Sequence, residues 1–311
     1  MECSDDRHSG ICRTAVPGVA ACLLWSTAFA AVKFGLQYAG PLGFAGFRFT
    51  LSGILVIALS VRRMKRARIS GRFFVTSLKI AFFQTFILYG LFYMGIQRVP
   101  GAVGAVVVGS SPLFAALMAH RMQHGDKMTA GKAGSIGLGM AGVVLISLSR
   151  RPWSGIGFYE TVGIMMLILA SCSSACGNII VSRSRGLDPF LLNGFQLFAG
   201  GTMLFIISIP VEGFPEWTLN RSFFLAAAWL VFIAAAAFSL WFYALHQPGV
   251  RVSELNLWKF LIPVFGTLFS WWLLPDESPT PVLVTGMVFV AFSVFYYFVI
   301  SAREKHENCT G

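Results

Sequence analysis

Apolar residues in this chain come in long unbroken runs, separated by short polar gaps. Strict apolar–polar alternation over segments of about 10 residues would indicate strands of a barrel. Continuous runs of about 20 residues, enough to cross about 30 Å of hydrocarbon, predict helices instead. Ten such runs are present: Val16–Gln37, Leu42–Val61, Phe73–Gln97, Ala102–His120, Ala130–Ser149, Gly157–Ser182, Pro189–Ile209, Phe223–Leu245, Val252–Leu274 and Pro281–Ile300. The expected fold is an all-α integral membrane protein of ten transmembrane helices, with no room in the gaps for an inserted soluble domain.

Composition agrees with the pattern. Of 311 residues, 56% are hydrophobic and 12% charged, and mean hydropathy is +0.71. Soluble domains carry about 25% charged residues, so too little polar surface exists here to coat a globule in water. A soluble enzyme, a secreted disulfide scaffold and a disordered chain are excluded. Six cysteines show no CxxC spacing, and neither a disulfide frame nor a metal site is indicated. The apolar run after the N-terminal residues is of full span length, and Glu2, Asp5 and Asp6 precede it. It reads as a first membrane helix, not a cleaved signal.

The net charge of +11 changes the picture only through its placement. The basic residues lie mostly in gaps, not on one face, so a nucleic-acid partner is not expected. Assigning gaps alternately to two sides puts sixteen Lys and Arg on one side and four on the other. Excess positive charge marks the cytosol, which predicts cytosolic termini and an even number of spans. The basic side would also favour anionic lipids.

The halves resemble each other. A shift of 148 residues places Gly40–Gly53 on Asp188–Gly201, matching Pro41 to Pro189, Gly46 to Gly194, Phe47 to Phe195 and Gly53 to Gly201. A shift of 151 places Pro112 on Pro263 and Phe114 on Phe265, and Asp126-x-x-Thr129 on Glu277-x-x-Thr280. Five helices per half is odd, so the second half enters the membrane inverted, an architecture of alternating access with substrate held between the halves. The expected organisation is an N-terminal tail over 1–15, a first repeat over 16–149, a linker over 150–156, a second, inverted repeat over 157–300 and a C-terminal tail over 301–311.

These residues carry a family resemblance over roughly 16–301. Trp25-Ser26 with Lys33, Arg48-Phe49, Pro112, Pro263 and the Glu277-x-x-Thr280 turn resemble the EamA family of the drug/metabolite transporter superfamily. Asp126 where such repeats usually carry Glu, the histidines His120 and His124 and the lysine Lys259 depart from the pattern. The resemblance implies the ten-helix inverted repeat and transport of a small metabolite, without naming one.

Candidate binding residues come from depth along each span. Trp25, Ser26, Gln84, Ser111, Ser174 and Asn178 fall near mid-membrane, and Ser171–Asn178 is small and polar round every face, so one side is expected to line a cavity. Small polar residues also serve close helix packing. Lys259 is the sharpest feature. It lies roughly 10 Å into its span at about 1.5 Å per residue, where a cation needs water or a partner. It is expected to hold an anionic group of the substrate, with Trp258 and Asn256 beside it; snorkelling or pairing with Glu254 is the alternative. Tyr89, Tyr93, Trp241 and Tyr243 are aromatic candidates for the cavity wall, suited to an amphipathic or aromatic solute. Arg48, Pro112 and Pro263 are expected to gate or to shape the spans. The stripe Gly131, Ser135, Gly139 predicts close packing between the halves or between subunits of a homodimer.

No Asp or Glu is placed deep in a span, which argues against a carboxylate proton relay. No catalytic or nucleotide-binding motif appears, so neither catalytic residue, metal nor cofactor is expected. The sequence thus predicts a carrier of the cytoplasmic (inner) membrane, not an enzyme, moving a small-molecule substrate such as an amino acid or related carboxylate, outward. Its surroundings are membrane lipids. An organic-anion or organophosphate exchanger is the second reading, and a non-transporting receptor or membrane enzyme the distant third.

Overall fold

The computed structural model describes residues 2–67, 69–99, 101–122, 128–148, 157–214, 220–273 and 281–310. Among them the regular elements are all helical, and helix lies over each apolar run: α1, Glu2–Gly35; α2, Pro41–Leu59; α3, Gly71–Ile96; α4 in two pieces, Gly101–Gly109 and Ser111–Met122; α5, Ala130–Leu148; α6, Phe158–Arg183; α7, Pro189–Glu212; α8, Arg221–Leu245; α9 in three, Val252–Leu257, Trp258–Phe260 and Leu261–Leu273; α10, Pro281–Thr310. Seven stretches are long and apolar enough to cross a membrane: α2, α3, Gly104–Met122, α6, α7, α8 and Val284–Ser301. Thr14–Ala28 and Ala130–Ile146 are shorter apolar stretches. The chain is a multi-pass helical membrane protein. Both terminal helices run past their apolar stretches into the segments expected as tails. The 150–156 linker and the residues Asp126, His124 and Glu277 lie outside the described residues.

Pro41 and Pro189 each occupy the first helical position, where the missing N–H costs nothing. Asp188 caps α7, accepting from Phe190 N and Leu191 N at 2.9 and 3.1 Å. The start of α2 has no side-chain cap of its own. Instead Glu212, at the far end of α7, accepts from Leu42 N and Gly43 N at 2.7 and 2.9 Å. The two helices therefore run antiparallel.

Their contact shows why the glycines recur. A Cβ on Gly46 would lie 2.7 Å from Phe205 Cα, and one on Gly53 would lie 2.6 Å from Phe198 Cα. Moved by 148 residues, these pairs become Gly194 against Ile57 and Gly201 against Thr50, and both are contacts here as well. The shift read from the sequence is thus a local twofold relation between α2 and α7. The same holds for α5 and α10 with the 151 shift. Ser135 and Ser293 donate to each other's carbonyls at 2.6 Å each. Their shifted partners, Gly286 and Gly142, meet backbone to backbone. The stripe Gly131, Ser135, Gly139 packs on Ile300, Ser293 and Phe260, so it is spent inside the chain, between the halves.

Two spans break at equivalent places. Pro112 and Pro263 cannot donate a backbone hydrogen bond, and their rings crowd the carbonyl four residues earlier, of Val108 and Lys259 respectively. α4 accordingly turns at Ser110, and α9 tightens to a 3₁₀ turn over Trp258–Phe260. The middle of α3, Ala81–Ile87, is π-helical, with the Phe83 carbonyl accepting from Ser173 Oγ at 2.7 Å. The larger apolar cluster joins α1, α2, α3, α6, α7 and α8 with Ala119 of α4 and Val252 and Leu255 of α9, and a second joins α4, α5, α9 and α10. Trp258 packs against both.

Candidate substrate-binding site

The 3₁₀ turn of α9 lies where the two clusters meet, and it carries Lys259. The half-buried ammonium sits over the Trp241 ring, 5.0 Å from its centroid, a contact worth about 0.5–2 kcal/mol as desolvation increases. It has no ion pair among the described residues; Glu254 is taken by Arg251 at 3.4 Å, three residues away on the same turn. The snorkelling and Glu254 readings of Lys259 are therefore replaced by a cation on an aromatic face. The first-half counterpart of Lys259 under the 151 shift is Val108, so this charge belongs to one half only.

Trp241 is held so that its face is offered to the lysine. Its Nε1 donates to Asn178 Oδ1 at 3.1 Å, Asn178 Nδ2 donates to Asn256 Oδ1 at 3.0 Å, and Asn256 Nδ2 donates to Val252 O at 2.9 Å. An indole N–H only donates, so it sets the orientation of both amides along the line. All three side chains are fully buried. The line joins α8, α6 and α9.

From Trp241 an aromatic run crosses to the first half. Trp25 lies 5.2 Å from Trp241 and 5.3 Å from Phe238. Phe238 lies 6.4 Å from Phe49 and 6.5 Å from Tyr89, and Phe49 and Tyr89 are 4.4 Å apart. At its far end is Arg48, 95% buried. Its guanidinium stacks over Phe49 at 4.0 Å and donates to Tyr93 Oη at 3.1 Å. Its Nε has no hydrogen-bond partner, and no carboxylate pairs with it among the described residues. The equivalent of Arg48 in the second half is Gln196, a neutral residue absorbed in a buried chain. Thr85 donates to Gln196, Gln196 to Asn193, and Asn193 to Ser239, at 2.6, 3.0 and 2.9 Å.

Lys259, Asn256, Asn178, Trp241, Trp25, Tyr89 and Arg48 thus come together as one assembly. The others are placed elsewhere or used differently. Trp258 faces away, its ring tilted against Phe298 at 4.9 Å and packed on Gly18. Ser26 donates to Leu23 O of its own helix. Ser111 begins the second piece of α4. Gln84 is buried against Gly177, its Oε1 without a partner. Ser174 is buried. Ser171 bonds its own backbone, Ser173 and Gly177 meet Phe83 and Gln84 of α3, and Asn178 is the member of the stretch that joins the assembly. Tyr243 lies apart, against Phe190. Phe238, Asn193 and Gln196 were not singled out by sequence, and Phe49 only as part of the Arg48-Phe49 pair. A phenylalanine among thirty carries no signal, whereas Asn193 and Gln196, three apart in an apolar span, could have.

The EamA-like transporter family model matches residues 14–148 and again 161–299. The chain is 26% identical over 271 residues to a WAT1-related chloroplastic protein of Arabidopsis thaliana, covering 85% of this chain and 64% of that one. It is 26% identical to an uncharacterized transporter of Synechocystis, over 94% of this chain and 91% of that one. It is 23% identical to an S-adenosylmethionine/S-adenosylhomocysteine transporter of Chlamydia trachomatis, over 88% and 86%. A solved crystal structure superposes on 93% of this chain and 97% of its own, with a TM-score of 0.79 at 19% identity. Two matches that together span nearly the whole chain settle its kinship: it belongs to the EamA-like transporter family.

Proposed function

We propose that the chain crosses the cytoplasmic membrane ten times, as two inverted five-helix repeats with cytosolic termini, and carries an amino acid or related carboxylate outward by alternating access. One observation supports the cargo above all others: an ammonium, Lys259, held on the face of Trp241 in a broken span with no carboxylate paired to it among the described residues. A substrate carboxylate would supply the missing charge, and the Trp25–Phe238–Tyr89 run would take an apolar body. The breaks in α4 and α9 fall at equivalent points of the two repeats, as expected for spans that hold a substrate between halves. The named cargo of the Chlamydia relatives is an amino-acid derivative with a free carboxylate and a planar base, chemistry of the same kind. Arg48, a buried cation with no carboxylate paired to it among the described residues, favours a second reading: an exchanger of organic anions or organophosphates that engages both charges.

The test is uptake into liposomes containing only this protein, with labelled amino acids, dicarboxylates and phosphorylated metabolites. An amino-acid carrier gives saturable flux of one amino-acid class, a KM raised at least about tenfold in Lys259→Gln, the scale of one charged hydrogen bond, and near recovery in Lys259→Arg. Flux of dianions lost equally in Lys259→Gln and Arg48→Gln would establish the exchanger instead. Unaltered KM in Lys259→Gln sinks the anchor.

A further inference from the structure

A second site lies outside the aromatic assembly, at the end of the α2/α7 pair opposite Glu212. A cleft of about 790 Å³ opens there between the halves. The segment after α2 supplies Arg63 and Arg66, α3 supplies Phe73, the α6–α7 connection supplies Leu187 and Asp188, and the first turn of α7 supplies Leu191. Its one carboxylate is already committed. Asp188 Oδ1 caps α7, and its Oδ2 meets Arg63 at 3.3 Å. Arg63 is further fixed over the Phe190 ring at 4.3 Å. Arg66 has no ion pair among the described residues, and the exposed residues Arg62, Lys65, Arg72, Arg183 and Arg185 stand on the neighbouring segments. The mouth is therefore strongly cationic, with no further acid among the described residues that line it.

The cleft is not polar throughout. Phe73 and Leu191 are buried in its floor. On the outer face of the same helix, Phe74, Val75 and Leu78 are each at least half exposed along the span, where hydrocarbon chains run. A cationic mouth continued by an apolar strip fits an amphiphile with an anionic head. A free phosphate would use the first part and leave the second without purpose.

We propose that this cleft holds the headgroup of an anionic phospholipid, with its acyl chains along Phe74, Val75 and Leu78. The lipid comes from the leaflet at that end, the cytosolic one on the orientation proposed above. Because each half contributes one wall, the bound lipid ties the halves together and favours the conformation described here, in proportion to its preference for it. Basic clefts at helix ends are suited to such headgroups, each cation adding roughly fivefold in affinity.

Thermal stability of the full chain in a neutral detergent tests this, with phosphatidylglycerol, phosphatidylcholine or inorganic phosphate added. Phosphatidylglycerol is expected to raise the melting temperature saturably, phosphatidylcholine and inorganic phosphate not. In Arg66→Gln the half-saturating lipid concentration rises about fivefold, and in Val75→Asn it also rises while the response to lipid charge is kept. Arg66 and Val75 are exposed, so both variants fold. Equal stabilisation by phosphatidylcholine, full stabilisation by inorganic phosphate, or an unchanged response in Arg66→Gln each overturns the proposal. Substrate flux plays no part in this readout, so the site stands or falls apart from the cargo.

Discussion

Replacing Gly53 by alanine tests the α2/α7 contact on which the inverted pairing rests. The added Cβ would lie 2.6 Å from Phe198 Cα and 2.7 Å from its Cβ, where non-bonded carbons need about 3.5–4.0 Å. The obstacle is backbone, which has no rotamer to escape into, so the helices must part by about 1 Å. Overpacking of this kind costs about 1–3 kcal/mol, against which alanine's better helix propensity returns about 1 kcal/mol, leaving a loss of up to about 2 kcal/mol. Gly201→Ala, the twofold mate, should cost a similar amount, because its Cβ would lie 2.8 Å from the Phe49 carbonyl carbon. The double variant should lose less than the two together, since one separation of the helices relieves both clashes. Gly134→Ala and Gly137→Ala are controls: nothing lies within 4 Å of either new Cβ, so stability should hold or rise by up to about 1 kcal/mol. Reversible unfolding in mixed micelles of rising SDS content, followed by tryptophan fluorescence, reads all five. If Gly53→Ala is as stable as Gly134→Ala, or if the two α2/α7 losses add fully, the close antiparallel contact is wrong.

Other parts of the structure give sharp outcomes too. Asn178→Ala strands the Trp241 indole N–H and the Asn256 amide in a buried setting, so stability should fall by about 1–3 kcal/mol, visible in the same micelle titration. Glu212→Ala uncaps α2 across the repeat boundary and should cost about 1–2 kcal/mol, while Glu212→Gln, keeping one acceptor, costs less. His246, just past α8, places Nε2 3.1 Å from Ser184 Oγ and Nδ1 3.0 Å from Phe242 O. Burial lowers its imidazole below the ordinary 6.5, outweighing the Phe242 and Ser184 hydrogen bonds and the Asp188 charge that raise it, while Arg185 lowers it further. The unfolded chain therefore binds this proton first. Stability is full above 6.5 and declines as pH falls from there toward the lowered value. Melting temperatures on either side of that window should differ more in wild type than in His246→Gln.

How far the chain could be read without its structure depended on which kind of contrast a residue makes with its surroundings. Spans stand out because hydrocarbon and water differ so strongly, and the two broken spans stand out because Pro112 and Pro263 remove a hydrogen bond wherever they fall. The glycines aligned by the repeat were legible for a related reason: only a backbone contact needs Gly46, Gly53, Gly194 and Gly201 all at once. Rotation about each helix axis was not legible. A span that is apolar all round gives no moment to tell protein from lipid, so nothing in the sequence separated Trp241, wholly buried, from Tyr243, turned outward two residues later. The same blindness left open which members of Ser171–Asn178 face α3, where Ser173 and Gly177 meet Phe83 and Gln84 of its π-helical part. It also hid Phe238, which joins the tryptophans to Tyr89 only because α8 presents that face to α1 and α3. Charge escapes the difficulty, because a cation within a span must find a partner whichever way it faces. Lys259 and Arg48 were therefore legible as residues in need of an answer, and packing supplied aromatic faces to both. Both lack a carboxylate among the described residues, and the repeat supplies Val108 and Gln196 as their counterparts, so the two halves are symmetric in backbone and asymmetric in charge. For the carrier proposed above, that asymmetry would let an unsymmetrical anion be held in one orientation between two similar halves.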